Sequence, residues 1–385
     1  MRKDKEKIMS NGNNKYEIGV YYFPNYHIDA RNEKWHGSGW NEWELIKDAK
    51  ARYKDHYQPR IPQWGYEDES KPEVMEKKIR AASDAGITSF IFDWYWYNDG
   101  PYLNKALDKG FLGAKNTKNL KFALMWANHD WADIHPCTRY LDPPVLAEGI
   151  INPEAFEQMT DYITEMYFTQ ENYWRIDGNL YFSLYMPSNL VDGFGSIEKT
   201  KEAILKFRQK VRDKGLGEIH LNAVVWCKPI LKGEIVIKDI NGFLKELGFD
   251  SITSYVWIHN YLPTDNLTVT YDEMIEKCVP MTYKFKEQYT LPYYPNVTVG
   301  WDSSPRTIMT DKYEVLTYPF NPIIVGNTPE KFKKALEETK KILEETGTKM
   351  FTINAWNEWT EGSYLEPDEK YGTGYLDAIR EVFCK

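Results

Sequence analysis

Two glutamates three positions apart, Glu358 and Glu361, stand among tryptophans near the carboxyl end of the chain. They follow an apolar run over 351–356, and Gly362 ends the segment. Cleavage of a glycosidic bond uses two carboxyl groups with different pKa values, one as acid and one as base or nucleophile. Indole rings beside them offer an apolar face on which a pyranose ring can lie. The spacing and residue types therefore indicate carbohydrate chemistry.

The apolar run before the glutamates is typical of a buried strand, and seven similar runs precede it. The eight predicted strands are 16–24, 88–96, 121–128, 179–187, 218–226, 251–257, 294–302 and 349–357. Helical periodicity falls between them and is clearest at 71–85, 153–169, 197–214, 271–288 and 329–345. Thr270 and Thr328 are the expected N-caps of the last two helices. This alternation predicts an α/β fold, a (β/α)8 TIM barrel, with a doubly wound sheet as the alternative.

The lengths of the connections indicate which rim of the barrel carries a site. Short links with glycines return helices to strands, at positions 86, 215, 217, 248 and 347. The segments that leave strands are long, at 25–70, 129–151, 227–238 and 303–327. Loops of that length in a compact domain are usually functional. We therefore expect long loops at the carboxyl-terminal rim, where TIM barrels place their active sites, and Glu358 and Glu361 among them.

Aromatic and polar residues at the other predicted strand ends are candidates for substrate binding. Most of the 14 tryptophans fall at strand ends or in the long loops. Polar groups at such places can bind sugar hydroxyls while indole faces stack on the ring. The candidates are Tyr22, Tyr26, His27, Trp43, Asp93, Trp94, Trp126, Asn128, Tyr255, Trp257, Trp301, Asp302 and Trp359. Core packing is the competing interpretation for any single tryptophan, and capping or loop support is the competing interpretation for Asp93.

Charge and cysteine usage exclude several other classes. The net charge of -9 and the pI near 5.5 argue against nucleic acid or an anionic membrane as the main partner, so a carbohydrate substrate fits better. The four cysteines are far apart and predict free thiols.

Metal and nucleotide chemistry receive little support from the motifs. The seven histidines form no His-x-His or His-Glu-x-x-His pattern, and we expect no metal and no other cofactor. His129, Asp130, Asp133 and His135 share one loop and could form a metal site, but a polar loop network is the favoured interpretation. His36 and His56 are expected to order the first long loop. No phosphate loop or dinucleotide fingerprint is present.

The ends of the chain complete the predicted organisation. Residues 1–14 are polar and predict a disordered lead-in, and 15–385 is predicted as a single (β/α)8 catalytic domain. No signal peptide and no run of ~18 apolar residues is visible, so we expect no membrane insertion. A cytoplasmic location is expected, or a periplasmic or secreted one if a leader was removed. The pattern does not predict an oligomeric state.

Three segments resemble the WbsX-like domain, a family related to glycoside hydrolase family 99. They are 19–27, then 35–43 with 56–60, and finally 357–367, and the match spans nearly the whole chain. The last is the most specific, because family 99 enzymes carry Glu-Trp-His-Glu-Gly followed shortly by Glu-Pro. In this chain Thr360 stands at the position of the family's histidine. The resemblance implies a TIM barrel that cleaves α-mannosidic bonds with retention.

The resemblance also implies roles for the paired glutamates. Glu361 is the general acid/base that protonates the leaving oxygen, and Glu358 deprotonates the sugar's 2-hydroxyl. That hydroxyl is the internal nucleophile and gives a 1,2-anhydro sugar that water then opens. The implied enzyme is a retaining glycoside hydrolase acting on an α-mannoside-like or α-rhamnoside-like linkage of a polysaccharide or glycan. Two alternatives remain: a glycosyltransferase of surface-polysaccharide biosynthesis, although no Asp-x-Asp is present, and a non-catalytic carbohydrate-binding barrel.

Overall fold

The computed structural model of the chain describes residues 15–231, 234 and 236–384. The predicted lead-in over 1–14 lies outside these residues, as do three positions of the predicted loop 227–238. Among the described residues, nine parallel strands form a nearly closed barrel with helices around it, which confirms the predicted fold class.

Each barrel strand is a short, buried run of mainly aromatic and branched residues. The strands are β1 (Glu17–Tyr22), β2 (Ser89–Tyr97), β3 (Lys121–Trp126), β4 (Asn179–Leu184), β5 (Ile219–Val224), β6 (Ser251–Thr253), β7 (Tyr293–Tyr294), β8 (Asn296–Thr298) and β9 (Met350–Asn354). Their order is β7-β6-β5-β4-β3-β2-β1-β9-β8. Only Pro295 separates β7 from β8, so this one stretch of chain pairs with β6 on one side and with β9 on the other. The barrel closes there.

The helices lie between the strands and on the outside of the barrel. They are α1 (Ala30–His36), α2 (Trp43–Asp48), α3 (Pro72–Asp84), α4 (Pro153–Met166), α5 (Pro187–Phe194), α6 (Ile197–Asp213), α7 (Ile240–Leu247), α8 (Tyr271–Cys278), α9 (Met281–Gln288), α10 (Pro329–Thr346) and α11 (Gly374–Phe383). Phe182 of β4 packs edge-on against Phe207 of α6. Because side chains alternate along a strand, Ser183 faces the barrel interior, where its hydroxyl bonds Asn222 at 2.8 Å.

Every predicted strand corresponds to an observed one, with two departures in detail. The predicted strand 294–302 is split into β7 and β8, and residues 299–302 lie outside any strand. The predicted helix 271–288 is two helices, because Pro280 lacks the amide that a continuous helix would need. The Thr270 and Thr328 side chains accept hydrogen bonds from the amides of Glu273 and Lys331, so both predicted N-caps are confirmed.

Further observations concern the shorter elements and the surface. Short strand pairs lie in the loops at Trp131–Ala132 with Val145–Ala147, at Thr268–Thr270 with Ile323–Val325, and at Asn357–Glu358 with Ser363–Tyr364. The four cysteines are free, as predicted. Within the described residues, no helix is both long and apolar enough to span a bilayer.

Candidate active site

The segment after β9 brings both glutamates to the rim. Asn357–Glu358 pairs antiparallel with Ser363–Tyr364, and a 3-10 turn over Trp359–Glu361 joins the two. Gly362 ends this turn with φ +63°, and a Cβ there would lie 2.9 Å from the Cβ of Asp302. A glycine is therefore needed for the hairpin to turn so tightly against the neighbouring loop.

One buried arginine joins three carboxyl groups at this rim. Arg306 comes from the loop after β8, and its guanidinium contacts Glu42 at 3.0 Å, Glu358 at 3.4 Å and Glu361 at 2.5 Å. Glu42 comes from the loop after β1. We call Glu42, Arg306, Glu358 and Glu361 the Arg306 cluster. The cluster gathers residues from three parts of the chain. Its side chains are buried or nearly so, and Glu361 is 12% exposed.

A tyrosine links the cluster to a further carboxyl group. The Tyr255 hydroxyl lies 2.8 Å from Asp93 Oδ2 and 3.1 Å from Glu358 Oε1. A phenol has one proton to donate, so it can donate to only one of these oxygens at a time. The other contact is favourable when that carboxyl is protonated and donates to the phenol oxygen. The geometry therefore favours a proton on Asp93 or Glu358.

The pKa directions agree with this arrangement. Burial raises the pKa of Glu358 well above its usual range, the neighbouring Glu361 adds to the rise, and Arg306 offsets part of it. The pKa of Glu361 is also raised by burial, against the opposing effect of Arg306. Burial raises the pKa of Asp93 well above normal despite the hydrogen bond from Tyr255. Carboxyl groups this close titrate together and share protons, so the site can supply an acid and a base at once.

Glu42 is the exception among the carboxyl groups. Burial acts to raise its pKa, but Arg306, His135 and hydrogen bonds from Thr360 and Asn25 outweigh burial and hold it below its usual value. Glu42 is thus the constant negative partner of Arg306. Thr360, which stands where the resembling family has histidine, directs its hydroxyl to Glu42 and is fully buried.

Two oxygens in the site have no hydrogen-bond partner among the described residues. They are Glu361 Oε2 and Asp93 Oδ1, and both are buried. Buried polar atoms are nearly always paired in folded proteins, so atoms left unpaired beside reactive groups are those a ligand can use. They are the natural contacts for hydroxyl groups or for a glycosidic oxygen.

Of the predicted substrate-binding residues, Tyr26, Trp43 and Trp359 lie together against the base of the cluster. The Tyr26 hydroxyl accepts a hydrogen bond from the Trp359 amide at 3.2 Å, and the Tyr26 ring is 4.1 Å from that of Trp43. Both indole N–H groups are bonded within the protein, to Glu67 and Glu366. These residues support the turn that carries Glu361.

The structure places Tyr22 and His27 in different surroundings from the paired glutamates. The Tyr22 hydroxyl donates to Glu69 Oε1 at 2.7 Å, within a second ionic cluster described below. His27 is buried, and burial lowers its pKa to about 4. It is neutral at physiological pH, and neither ring nitrogen has a partner among the described residues.

Four of the predicted tryptophans make contacts typical of core packing. Each is 1–2 % exposed, and each indole donates to another group of the protein. The pairs are Trp94 with Tyr167, Trp126 with Trp96, Trp257 with Asn296 and Trp301 with Pro319. Trp226, which follows β5, is more exposed and its ring lies 5.1 Å from Tyr185, which in turn meets Tyr255 edge-on at 5.4 Å. An aromatic wall thus continues outward from the site on that side.

The remaining two predicted residues hold loops in place. Asn128 exchanges two hydrogen bonds with the backbone of Met186. Asp302 accepts from His56 at 2.9 Å and from Gln58 at 2.8 Å, and also from the amide of Ser304. These bonds fix the start of the loop that delivers Arg306.

Sequence reasoning missed Arg306 and Glu42 as members of the site. A signal for Glu42 was present, since residues 41–43 read Asn-Glu-Trp just as residues 357–359 do. Arg306 carries no comparable signal, because an arginine in a long loop has many possible partners.

A second buried ionic cluster lies behind the hairpin. Lys78 of α3 contacts Glu69 and Glu366, each at 2.6 Å, and we call these three residues the Lys78 cluster. Glu69 also accepts from Tyr22 and Asn357, and Glu366 from the indoles of Trp356 and Trp359. Through the last three donors the cluster holds the segment on which Glu358 stands.

A family model described as "Glycosyltransferase WbsX" matches residues 18–379 of the chain. Two curated relatives are uncharacterized proteins WxcX of Xanthomonas campestris pv. campestris, from strains B100 and ATCC 33913. Each is 26% identical over 385 residues, covering 95% of this chain and 49% of the relative. The chain thus spans about half the length of the curated relatives it matches.

Solved structures of similar fold include carbohydrate-active barrels. One described as "Glycoside hydrolase-like protein" has a TM-score of 0.60 and 17% identity, covering 96% of this chain and 94% of that one. The GH99 endo-alpha-mannosidase from Bacteroides thetaiotaomicron, in complex with Bis-Tris-propane, has a TM-score of 0.55 and 13% identity, covering 95% of each chain. At these identities the likeness shows the fold, a TIM barrel of the kind used by glycoside hydrolases.

Proposed function

This chain belongs to the family described as Glycosyltransferase WbsX, and on that premise we propose that it is a retaining glycoside hydrolase. Its proposed substrate is an α-mannoside-like or α-rhamnoside-like linkage in a polysaccharide or glycan. The observation that carries the proposal is the pair of rim carboxyls, Glu358 and Glu361, whose pKa values are both raised and which share Arg306. A glycosidase needs two such groups in different protonation states.

In the first step the two glutamates act on different oxygens of the substrate. Glu361 gives its proton to the leaving oxygen, and Glu358 takes the proton of the sugar's 2-hydroxyl. That oxygen attacks C1 as the C1–O bond breaks, which leaves a 1,2-anhydro sugar. A raised pKa suits both roles, because it keeps the proton on Glu361 and makes ionised Glu358 a stronger base. Arg306 stabilises the carboxylate that forms on Glu361.

The second step reverses these transfers. Glu361, now ionised, takes a proton from water as the water oxygen attacks C1, and Glu358 returns its proton to the 2-oxygen. Two displacements at C1 give retention of configuration. Tyr255 contacts Glu358 and Asp93 throughout, so it can hold Glu358 in the orientation that both steps need.

This mechanism restricts the substrate. The 2-oxygen must lie anti to the departing group, which α-mannose-like and α-rhamnose-like rings allow because their C1 and C2 substituents are trans-diaxial. Gluco-configured α-linkages do not offer that geometry. Support for the mannose-like class comes from the resembling family and from the fold shared with an endo-alpha-mannosidase.

A second candidate, transfer from a nucleotide sugar, is favoured by the description of the family. The sequence lacks the Asp-x-Asp that often holds the metal of a nucleotide-sugar donor. The paired carboxyls with raised pKa values favour hydrolysis, because protonation of a glycosidic oxygen is the task such groups perform.

A glycan panel tests the proposal, with each glycan incubated with and without nucleotide sugars. We expect hydrolysis of an α-manno or α-rhamno linkage without nucleotide, retained configuration in an NMR time course, and no cleavage of 2-deoxy or 2-O-methyl analogues. Turnover that requires a nucleotide sugar would establish the transferase instead. Inversion, or rapid cleavage of a 2-deoxy glycoside, would contradict the internal-nucleophile mechanism.

A further inference from the structure

Three potential metal ligands from two different loops meet beside Glu42. His36 ends α1, and Asp133 and His135 lie in the loop after β3. One ligand atom from each lies within 4.8 Å of the other two. His36 Nδ1 is 3.9 Å from Asp133 Oδ1, and the two imidazole rings are 5.4 Å apart between centroids.

The two histidines have ring nitrogens that lack partners. His36 Nε2 and His135 Nδ1 are buried and make no hydrogen bond with any described residue. The side chains are only 8% and 2% exposed. Leaving a buried nitrogen unpaired is costly. A bound ligand would supply the partner that the described residues do not.

Aromatic neighbours hold both imidazoles in position. The His36 ring lies 4.4 Å from that of Trp40, and His135 stacks on Trp131 at 5.3 Å with an interplanar angle of 10°. The backbone amide of Asp133 donates to Pro144, which fixes the loop between the ligands. Ligands held this way lose little freedom when they bind an ion.

We propose that His36, Asp133 and His135 bind a divalent transition-metal ion, and that Zn²⁺ is the ion the site prefers. Two imidazoles and one carboxylate suit zinc, whereas Ca²⁺ and Mg²⁺ prefer sets made of oxygen. Three protein ligands leave one position for water or a sugar hydroxyl. Asp133, with 35% of its side chain exposed, gives the ion a route from solvent.

The surroundings indicate what the ion does. His135 Nε2 is 3.8 Å from Glu42 Oε2, and carboxylates beside the second nitrogen of a ligating histidine orient that ring. Glu42 also pairs with Arg306. The ion therefore joins the first and second long loops at the edge of the Arg306 cluster, without taking part in bond cleavage. This proposal departs from the sequence-based interpretation of the 129–135 loop as a polar network without metal.

Calorimetric titration with ZnCl2 tests the site. The full chain is stripped with a chelator after the exposed thiols of Cys227 and Cys384 are alkylated, since thiolates also bind zinc. We expect about one ion per chain, as a single three-ligand site predicts. His36→Gln and Asp133→Asn should each lower the affinity by at least about a hundredfold, more than the loss of an outer partner costs. His129→Gln, in the same loop but outside the three ligands, is the matched control and should bind as the native chain does.

A thermal-shift measurement supplies a second readout that does not depend on activity. Zinc should raise the Tm of the native chain and of the control but not of Asp133→Asn, whose partly exposed side chain can be changed without loss of fold. No zinc-dependent shift in the native chain, or unchanged affinity in Asp133→Asn with native circular dichroism, would overturn the proposal. Failure of this test leaves the proposed hydrolase untouched, because the hydrolysis assay is separate.

Discussion

The Arg306 cluster and the Lys78 cluster are built from similar parts but differ in how many donors serve their carboxyl groups. In the Lys78 cluster, two carboxylates receive one ammonium and four further donors from Tyr22, Asn357, Trp356 and Trp359. In the Arg306 cluster, three carboxylates share one guanidinium. Glu42 has further donors in Thr360 and Asn25 and Glu358 has one in Tyr255, whereas Glu361 has Arg306 alone. One oxygen in each cluster, Glu361 Oε2 and Glu69 Oε2, has no partner among the described residues.

The difference separates a structural ionic cluster from a reactive one. Carboxylates with many donors fix the residues around them, as Glu366 fixes two indoles. Carboxyls with few donors have less to offset burial, which raises the pKa of Glu358 and of Glu361 toward the range useful for acid and base catalysis. Burial raises the pKa of Glu69 as well, against the effect of Lys78, so the clusters differ in their donors and their place in the fold rather than in burial. The hairpin alternates between the clusters, since Asn357 and Trp359 bond to one and Glu358 to the other.

Substitution of the paired glutamates should have the largest effect. We expect Glu358→Gln and Glu361→Gln each to lower kcat by about a thousandfold, since each removes a proton-transferring group. Steady-state kinetics on the glycan found by the panel measure the loss. Glu366→Gln of the Lys78 cluster is the matched control, and its kcat should fall by less than about tenfold while its stability falls. Near-native activity in either of the first two variants would remove the proposed roles.

Removal of the buried lysine should be the largest change in stability. Lys78→Met leaves Glu69 and Glu366 without their cation, and such a loss costs about 3–5 kcal/mol of unfolding free energy. Urea denaturation measures it. Lys77→Met is the control, because its ion pair with Glu67 is partly exposed and should be worth no more than about 1 kcal/mol. Equal losses in the two variants would show that the Lys78 cluster does not stabilise the barrel.

Arg306→Gln should change both rate and pH dependence. Loss of the guanidinium is expected to lower kcat by about a hundredfold, as for other preorganised donors. Arg306 lowers the pKa of both Glu358 and Glu361, so its removal raises them. Both limbs of the pH–rate profile should therefore move to higher pH. A shift to lower pH would contradict the proposed electrostatics of the site.

Removal of one tyrosine hydroxyl beside each cluster should have the smallest effects. Tyr255→Phe removes the contacts to Asp93 and Glu358 and should lower kcat by about tenfold. Tyr22→Phe removes a donor to Glu69 and should cost about 1.5 kcal/mol of stability instead. If Tyr22→Phe mainly raises KM, the sequence-based prediction that Tyr22 binds substrate gains support over its structural role.

The strands were predictable because their signal is local. Buried strands of this barrel are short apolar runs between turn residues, and all eight predicted positions contain a strand. The prediction differs from the structure where the two ends of the sheet meet. There Pro295 divides one predicted strand into β7, which pairs with β6, and β8, which pairs with β9. Five of the observed helices, α1, α2, α5, α7 and α11, are at most ten residues long and were not predicted, since short amphipathic patterns are weak.

The candidate site was predictable only in part. Glu358 and Glu361 were selected by their place after a strand and by their tryptophan neighbours. Arg306 is 52 positions from Glu358 along the chain, so nothing near either residue announces their contact. The tryptophans present a different difficulty. They are easy to find in the sequence, but a tryptophan can either line a binding site or pack in the core. Trp301 is buried and donates to Pro319 of the loop after β8, which its sequence context did not distinguish from exposure at the rim.

The sequence by itself determined the alternation of strands and helices, the long loops at one rim, and two glutamates among tryptophans at the end of the last strand. These depend on residue order and spacing, which the chain carries directly. Only the tertiary structure decided which carboxyl groups have a raised pKa and which a lowered one, because a pKa depends on burial and on neighbouring charges. It brought Glu42, Arg306 and Glu358 together from three distant segments, and so made a reactive cluster beside a structural one.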